Sequence, residues 1–215
     1  SEQGHPATRL FAARSVNGRP MFLSNTLFII GAGASHEAEM PLGAELTDHI
    51  ARLIDFLMDG GQQLQRGDYP IYVALRRLVD EQGWGENKFF ASGREIADAM
   101  QLALSIDTFL ESHCENREYV QLGKLGIARA ISMAEAESKL QPRDHGGKTF
   151  EIRALAGTWY YSLARQLFTG IPANRPDLAF ENVSFVVFNY DRCLQLFLQK
   201  AAEVYFRIRA QEAEK

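Results

Sequence analysis

Two short apolar runs, one near each end of the chain, constrain the fold more than anything between them. Thr26-Leu-Phe-Ile-Ile30 ends in Gly31, and Val183-Ser-Phe-Val-Val-Phe188 ends in Asn189-Tyr190-Asp191. Both are continuous and rich in β-forming residues, so each reads as a strand buried on both faces, the pattern of a parallel sheet. Hydrophobic spacing between them predicts helices over Ala44–Met58, Tyr69–Gln82, Gly93–Leu110, Val120–Leu140 and Phe150–Phe168, and a last helix, with Leu194, Phe197, Ala201, Val204, Tyr205 and Ile208, runs to the end of the chain. Loops dense in Gly, Pro, Asn or Asp are expected at Gly60–Asp68, Gly83–Lys88, Gln141–Lys148 and Gly170–Asp177.

The fold class expected from this order is α/β, a Rossmann-like parallel sheet with a large helical insertion over about residues 60–170. Residues 1–20 read as an arm or leader, and 21–215 as one domain, which suits a 215-residue chain. Two strands are few for a doubly wound sheet, and no cap closes the last helix before Lys215. The sheet is therefore expected to continue in residues outside this chain, as in a protein truncated at its C-terminus.

Charge narrows the partners. Lys and Arg total 23 against 27 Asp and Glu, a net −4, which gives no case for nucleic-acid binding. The longest apolar stretch, Leu27–Ala34, is too short to cross a bilayer, and the first twenty residues carry no apolar secretory region. A cytoplasmic, reducing setting is expected. The two cysteines, Cys114 and Cys193, form no metal-ligand pattern, and His113 beside Cys114 does not make a zinc site, so no metal is expected.

Two motifs carry chemistry. Gly31-Ala32-Gly33-Ala34-Ser35 lies between a strand and a helix, where backbone N–H groups and a helix N-terminus suit an anionic pyrophosphate. The plainer alternative is a turn that needs glycine for its conformation alone. His36 stands where G-x-G-x-x-G requires its third glycine, and no Gly-Lys-Ser/Thr follows, so neither an ordinary dehydrogenase fingerprint nor a Walker loop is present. Asn189 and Asp191 follow the second strand directly, where open α/β sheets bind ligands. An amide and a carboxylate so placed can grip ribose hydroxyls or orient a water; equally, Asp191 can cap the helix that follows.

Gly31–Ser35 followed by Pro41-x-Gly43 and Leu46, together with Val187-Phe-Asn-Tyr-Asp191, resembles the sirtuin-like (silent information regulator two) family. The likeness is to its prokaryotic NAD-hydrolase branch, found in bacterial antiphage defence, where Phe-Asn-Tyr-Asp replaces the Thr-Gln-Asn-x-Asp of deacylases. Ser105–Leu110 and the stretch Gly123-Lys124…Ile127-Ala128 also look like this branch, so the resemblance spans about residues 24–200. It implies the sirtuin/DHS-like NAD-binding fold and NAD as ligand or substrate. Gly31, Ala32, Gly33 and Ser35 would hold the pyrophosphate, and Pro41 and Gly43 would lie under the nicotinamide side. Asn189 would be the catalytic amide that positions water, and Asp191 would bind ribose or orient Asn189. Asp107 is a weaker candidate for the same site. A further domain or a homo-oligomer is a partner expected by the same analogy.

The chain departs from the family at one point. A histidine in a His-Gly context follows the Asn-x-Asp motif there, and none follows Asp191 here. His145-Gly146 has the dipeptide but precedes Asn189. The leading expectation is an NAD glycohydrolase domain that releases nicotinamide and ADP-ribose; the alternative is a non-catalytic module sensing NAD or ADP-ribose. A protein deacylase is disfavoured, because the zinc ribbon that organises its acyl-lysine groove cannot be built from two cysteines.

Overall fold

The computed structural model of the chain describes residues 20–60, 63–141, 143–144 and 148–213. Apart from Pro20, the arm expected over 1–20 lies outside these residues, as does His145-Gly146. Strand β1 (Thr26–Ile30) leads into a 3-10 helix (Ala32–Ala38), α1 (Gly43–Ile54) and a hairpin of β2 (Leu57–Asp59) and β3 (Gln63–Arg66). Four helices follow: α2 (Tyr69–Gln82), α3 (Glu86–Ala99), α4 (Ile106–Ser112) and α5 (Arg117–Glu137). The two-residue strands β4 (Arg143–Asp144) and β5 (Lys148–Thr149) pair antiparallel. After them come α6 (Trp159–Phe168), β6 (Val183–Val187), α7 (Cys193–Phe206) and α8 (Ala210–Ala213).

The protein is mixed α/β, with a parallel sheet of two strands among the described residues. β1 and β6 pair in register from Thr26 opposite Val183 to Ile30 opposite Val187. Both strands alternate between faces, so the expectation of strands buried on both sides is corrected. Phe28 stacks on Phe185, ring centroids 5.4 Å apart, on the face that meets the core. Leu27 and Ile29 point the other way and are 56% and 69% exposed, with Val186 beside them. A continuous apolar run does not reveal this, because both faces are written in the same residue types.

Local signals redraw several helices. The one expected over Ala44–Met58 ends at Ile54. Asp55 pairs with Arg66 (3.0 Å) across the base of the β2–β3 hairpin, and Leu57 joins that hairpin instead. The one expected over Gly93–Leu110 begins earlier, stops at Ala99 and restarts at Ile106, where the Ser105 hydroxyl accepts the Thr108 N–H (3.2 Å). The one expected over Phe150–Phe168 is broken at Gly157, whose φ of 91° no α-helix accommodates, and Thr158 caps α6 by accepting the Tyr161 N–H. Arg207, in the left-handed conformation, ends α7 and leaves Ile208 outside it. The bounds expected for α2 agree with the structure, and the second strand starts at Val183 as expected and ends one residue early, at Val187.

Two apolar clusters form the core. One packs α6 and α7 on the inner sheet face through Tyr160, Leu163, Leu167, Phe168, Leu194 and Phe197. The other joins α1–α5 through Ile50, Ile54, Phe89, Ile96, Ile106 and Leu122. Helix α5 serves both, with Ala130 in the helical cluster and Ala134 in the sheet cluster. The α1–α3 approach is close: a Cβ on Gly93 would stand 2.2 Å from the Ile54 carbonyl oxygen. Gly93→Ala is therefore expected to lower stability by about 1–3 kcal/mol in urea unfolding, since a backbone oxygen cannot step aside. Gly33→Ala, where a Cβ meets nothing within 4 Å, is expected to leave the unfolding midpoint unchanged.

Candidate functional site

Parallel pairing delivers both chemical motifs to the same end of the sheet. Ile30 lies opposite Val187, and the Phe188 N–H donates to the Ile30 carbonyl (2.9 Å), so the segments after the two strands leave side by side. The turn after β1 winds into the 3-10 helix and carries Ser35 inward until it is 2% exposed. The Ser35 hydroxyl donates to Asp191 Oδ1 (2.9 Å), and its Oγ accepts from Asn189 Nδ2 (2.8 Å) and from the Tyr160 hydroxyl (3.3 Å). One donor and two acceptor positions exhaust a serine hydroxyl. As it stands, Ser35 is thus the link between the two strand ends, with its hydrogen bonds committed inside the protein.

Asp191 Oδ1 also accepts the Cys193 N–H (2.9 Å) at the start of α7, so the helix-capping role and the contact with Ser35 coexist in one carboxylate oxygen. Asn189 is satisfied on one side only. Its Oδ1 is buried and has no hydrogen-bond partner among the described residues. An orphaned buried acceptor costs about 1–3 kcal/mol, a cost that a donor from a bound ligand or water would remove.

The glycines of the turn answer the question left open by the sequence. Gly31 has φ −113° and ψ 175°, ordinary extended backbone, and Gly33 is not among the glycines with positive φ. A Cβ on either would meet no atom within 4 Å. Neither conformation nor internal packing requires glycine at these positions. Bare backbone facing open space remains, with Gly31, Ala32 and Gly33 all exposed. The α-helix expected from Ala44 starts at Gly43, and the 3-10 helix Ala32–Ala38 stands between it and the turn. Pro41 and Gly43 stand at the entry to α1, where the Gly43 carbonyl accepts the Thr47 hydroxyl (2.9 Å).

Residues that sequence reasoning missed clamp the turn from α6. The Trp159 indole N–H donates to the Ala34 carbonyl (2.6 Å), and the Trp159 backbone N–H donates to Glu37 Oε2 (2.7 Å), placing a carboxylate at the α6 N-terminus. The available signal was three aromatic residues with polar handles, Trp159-Tyr-Tyr161, directly after a threonine cap. Burial is the main cause that raises the Tyr160 hydroxyl above its usual range, so it stays a donor to Ser35.

The segment 189–192 alternates its side chains. Asn189 and Asp191 turn to Ser35, whereas Tyr190 and Arg192 turn to the helical cluster. Tyr190 donates to Asp107 of α4, and Arg192 forks onto Glu135 of α5 through Nη2 (2.7 Å) and Nε (3.3 Å). Tyr190 ionisation is pushed up to about 12, first by partial burial and then by the Asp107 carboxylate. These four residues, with Leu110, Lys124, Ile127 and Ile131, line an open cleft of about 640 Å³. The Ser105–Leu110 and Gly123–Ala128 stretches thus meet the Asn-Tyr-Asp segment here.

His36 and His113 make their contacts elsewhere. His36 Nδ1 faces the Met40 carbonyl (3.4 Å), and His113 stacks on Phe109 (4.2 Å). Trp84 is a loop anchor: it stacks on Phe89 with the Arg117 guanidinium over its ring. No group of three His, Cys, Asp or Glu side chains able to hold a metal occurs among the described residues, and none of their helices is long and apolar enough to cross a membrane.

Ser35→Ala strands both the Asn189 amide N–H and the Tyr160 hydroxyl, and is expected to cost about 1–3 kcal/mol in denaturant unfolding. Tyr160→Phe removes donor and need together and is expected to cost less. Cys193 is buried, and burial followed by the nearby Asp191 carboxylate raises its thiol above the usual range, whereas Cys114 is exposed. A disulfide reagent at pH 8 is expected to titrate one thiol quickly in the native protein and two in denaturant. No protein-family model matches the chain, and neither does any curated protein or solved structure.

Proposed function

We propose that the chain is a sirtuin-like NAD-binding domain with a Rossmann-like core, and that its site cleaves the nicotinamide–ribose bond with water as acceptor. The observation that carries this reading is the hydrogen-bonded joining of Ser35, Asn189 and Asp191 beside glycines that neither their conformation nor their packing requires. The exposed Gly31–Gly33 backbone offers N–H groups to a pyrophosphate at a distance a side chain would prevent. Beside it, the unpartnered Asn189 Oδ1 suits a ribose hydroxyl or a water proton.

Nicotinamide in NAD is already a cationic leaving group, so its departure takes the electron pair of the C1′–N bond without a general acid. The protein's share is to hold the ribose, stabilise positive character at C1′ and place one water. Asn189 accepts a hydrogen bond from that water and aims its lone pair at C1′; as the C1′–O bond forms, the water's surplus proton leaves to bulk solvent. Asp191, kept in orientation by Ser35 and the Cys193 N–H, supplies negative charge near the same carbon. A cytoplasmic role in bacterial antiphage defence, with a further domain or a second copy as partner, accompanies this reading by analogy alone.

One observation favours non-catalytic sensing of NAD or ADP-ribose instead: His36 and His113 are engaged away from the cluster, at the Met40 carbonyl and the Phe109 ring. Nicotinamide release by the product of the complete gene separates the two readings. With hydrolysis, Asn189→Ala is expected to lower release by about 100-fold or more while calorimetric NAD binding persists. Gly33→Val is expected to abolish binding without loss of thermal stability. Binding without release in the wild type means sensing, and absence of both sinks the NAD reading.

A further inference from the structure

Asn189 and Asp191 sit on a four-residue segment held from two opposite sides, and the second hold comes from the helical cluster. Glu135 of α5 makes three hydrogen bonds to one residue of this segment. It accepts the Arg192 backbone N–H (3.0 Å) and Nε on Oε1, and Nη2 on Oε2. The backbone bond matters most, because it fixes the peptide directly after Asp191 rather than a flexible side-chain tip. Glu135 is largely buried, its side chain 16% exposed, and the Arg192 guanidinium holds its carboxyl below the usual range. Two residues earlier, Asp107 of α4 accepts the Tyr190 hydroxyl, fixing the residue between the two site side chains.

The segment bends at Tyr190 and Asp191, and its contacts alternate, so a hold on 190 and 192 from one side keeps 189 and 191 facing Ser35 on the other. Ser35 and the Cys193 N–H hold the segment from one side, and contacts at two positions on the far side hold it from the other. We propose that Glu135, assisted by Asp107, is a positioning residue that sets the orientation of the Asn189 amide and the Asp191 carboxylate from the helical cluster. The catalytic consequence rests on the NAD reading; the geometric one does not.

The test uses the whole chain, ¹⁵N-labelled, as wild type, Glu135→Gln, Asp107→Asn and the double variant. The Asn189 side-chain amide signals are identified by their loss in Asn189→Ala. In the wild type they exchange slowly, because Nδ2 is bonded to Ser35. In Glu135→Gln, and more so in the double variant, exchange is expected to accelerate on the order of tenfold and the signals to move toward those of a solvated amide. Arg175→Gln, which removes an exposed ion pair with Asp177, is expected to leave them in place. Should Glu135→Gln fail to fold, Arg192→Lys loosens the same fork from its exposed side. Where the wild type releases nicotinamide, the double variant is expected to lower kcat with KM unchanged, and Arg192→Lys to retain more activity than Arg192→Ala. Unmoved Asn189 signals overturn the proposal whether or not NAD is turned over, and so does an unchanged kcat in an active enzyme. Moved signals in a protein that neither binds nor cleaves NAD overturn the functional reading alone.

Discussion

The parallel pairing of β1 with β6 is the constraint on which the site depends. Ser35 and Asp191 are 156 residues apart in sequence, and no local preference brings them together. Closing a loop of that length costs several kcal/mol of chain entropy, though the cost grows only logarithmically with length. Five matched residue pairs and the inner sheet face, with Phe28 on Phe185 and α6 and α7 packed behind, are what offset it. Once the strands are in register, Gly31 and Phe188 must leave the sheet as neighbours. The helices between them then act as a folded spacer, whose own cluster stands against the far side of the Asn-Tyr-Asp segment.

The legible parts of this arrangement were those written in contiguous residues. An apolar β-forming run, a glycine-rich turn and an Asn-x-Asp at a strand end are local patterns. The structure brings Ser35, Asn189 and Asp191 together, and finds β1, β6 and α2 where the sequence places them. What the sequence hid depends on partners remote in the chain. Alternation of β1 between a packed and an open face is invisible when Leu27, Phe28, Ile29 and Ile30 are all apolar. The break between α3 and α4 turns on Ser105 acting as a cap rather than a helix residue, and hydrophobic spacing runs straight through it. Trp159, Tyr160 and Glu135 read as members of helix patterns, because their hydrogen bonds go to elements that periodicity does not connect to them.

Glycine shows how a structure can decide between readings that the sequence leaves level. A glycine-rich turn is equally good evidence for a tight bend and for a surface that approaches a ligand. Dihedral angles and the space around a hypothetical Cβ separate the two. Gly157 is of the first kind, with a positive φ that stops a helix, and Gly93 is of a third, with an Ile54 carbonyl where a methyl would stand. Gly31 and Gly33 belong to neither group. Their requirement, if chemical, lies outside the protein's own atoms, as a pyrophosphate against the backbone would supply.

The polar cluster is asymmetric in a way that bears on the same point. A buried network is stabilising when every donor and acceptor is matched, and costly when one is left over. Ser35 is saturated, Tyr160 is kept protonated by its burial, and Asp191 Oδ1 receives two donors. Asn189 Oδ1 is the single unmatched buried side-chain atom among the described residues. A network built to stabilise the fold alone gains from closing that gap, which a valine or leucine at 189 would do without any hydrogen bond. Retaining an amide there, held by Ser35 on one side and by the Arg192–Glu135 fork on the other, leaves one acceptor aimed and unspent. That is the arrangement a site requires if it is to orient a water or a hydroxyl only when its ligand is present.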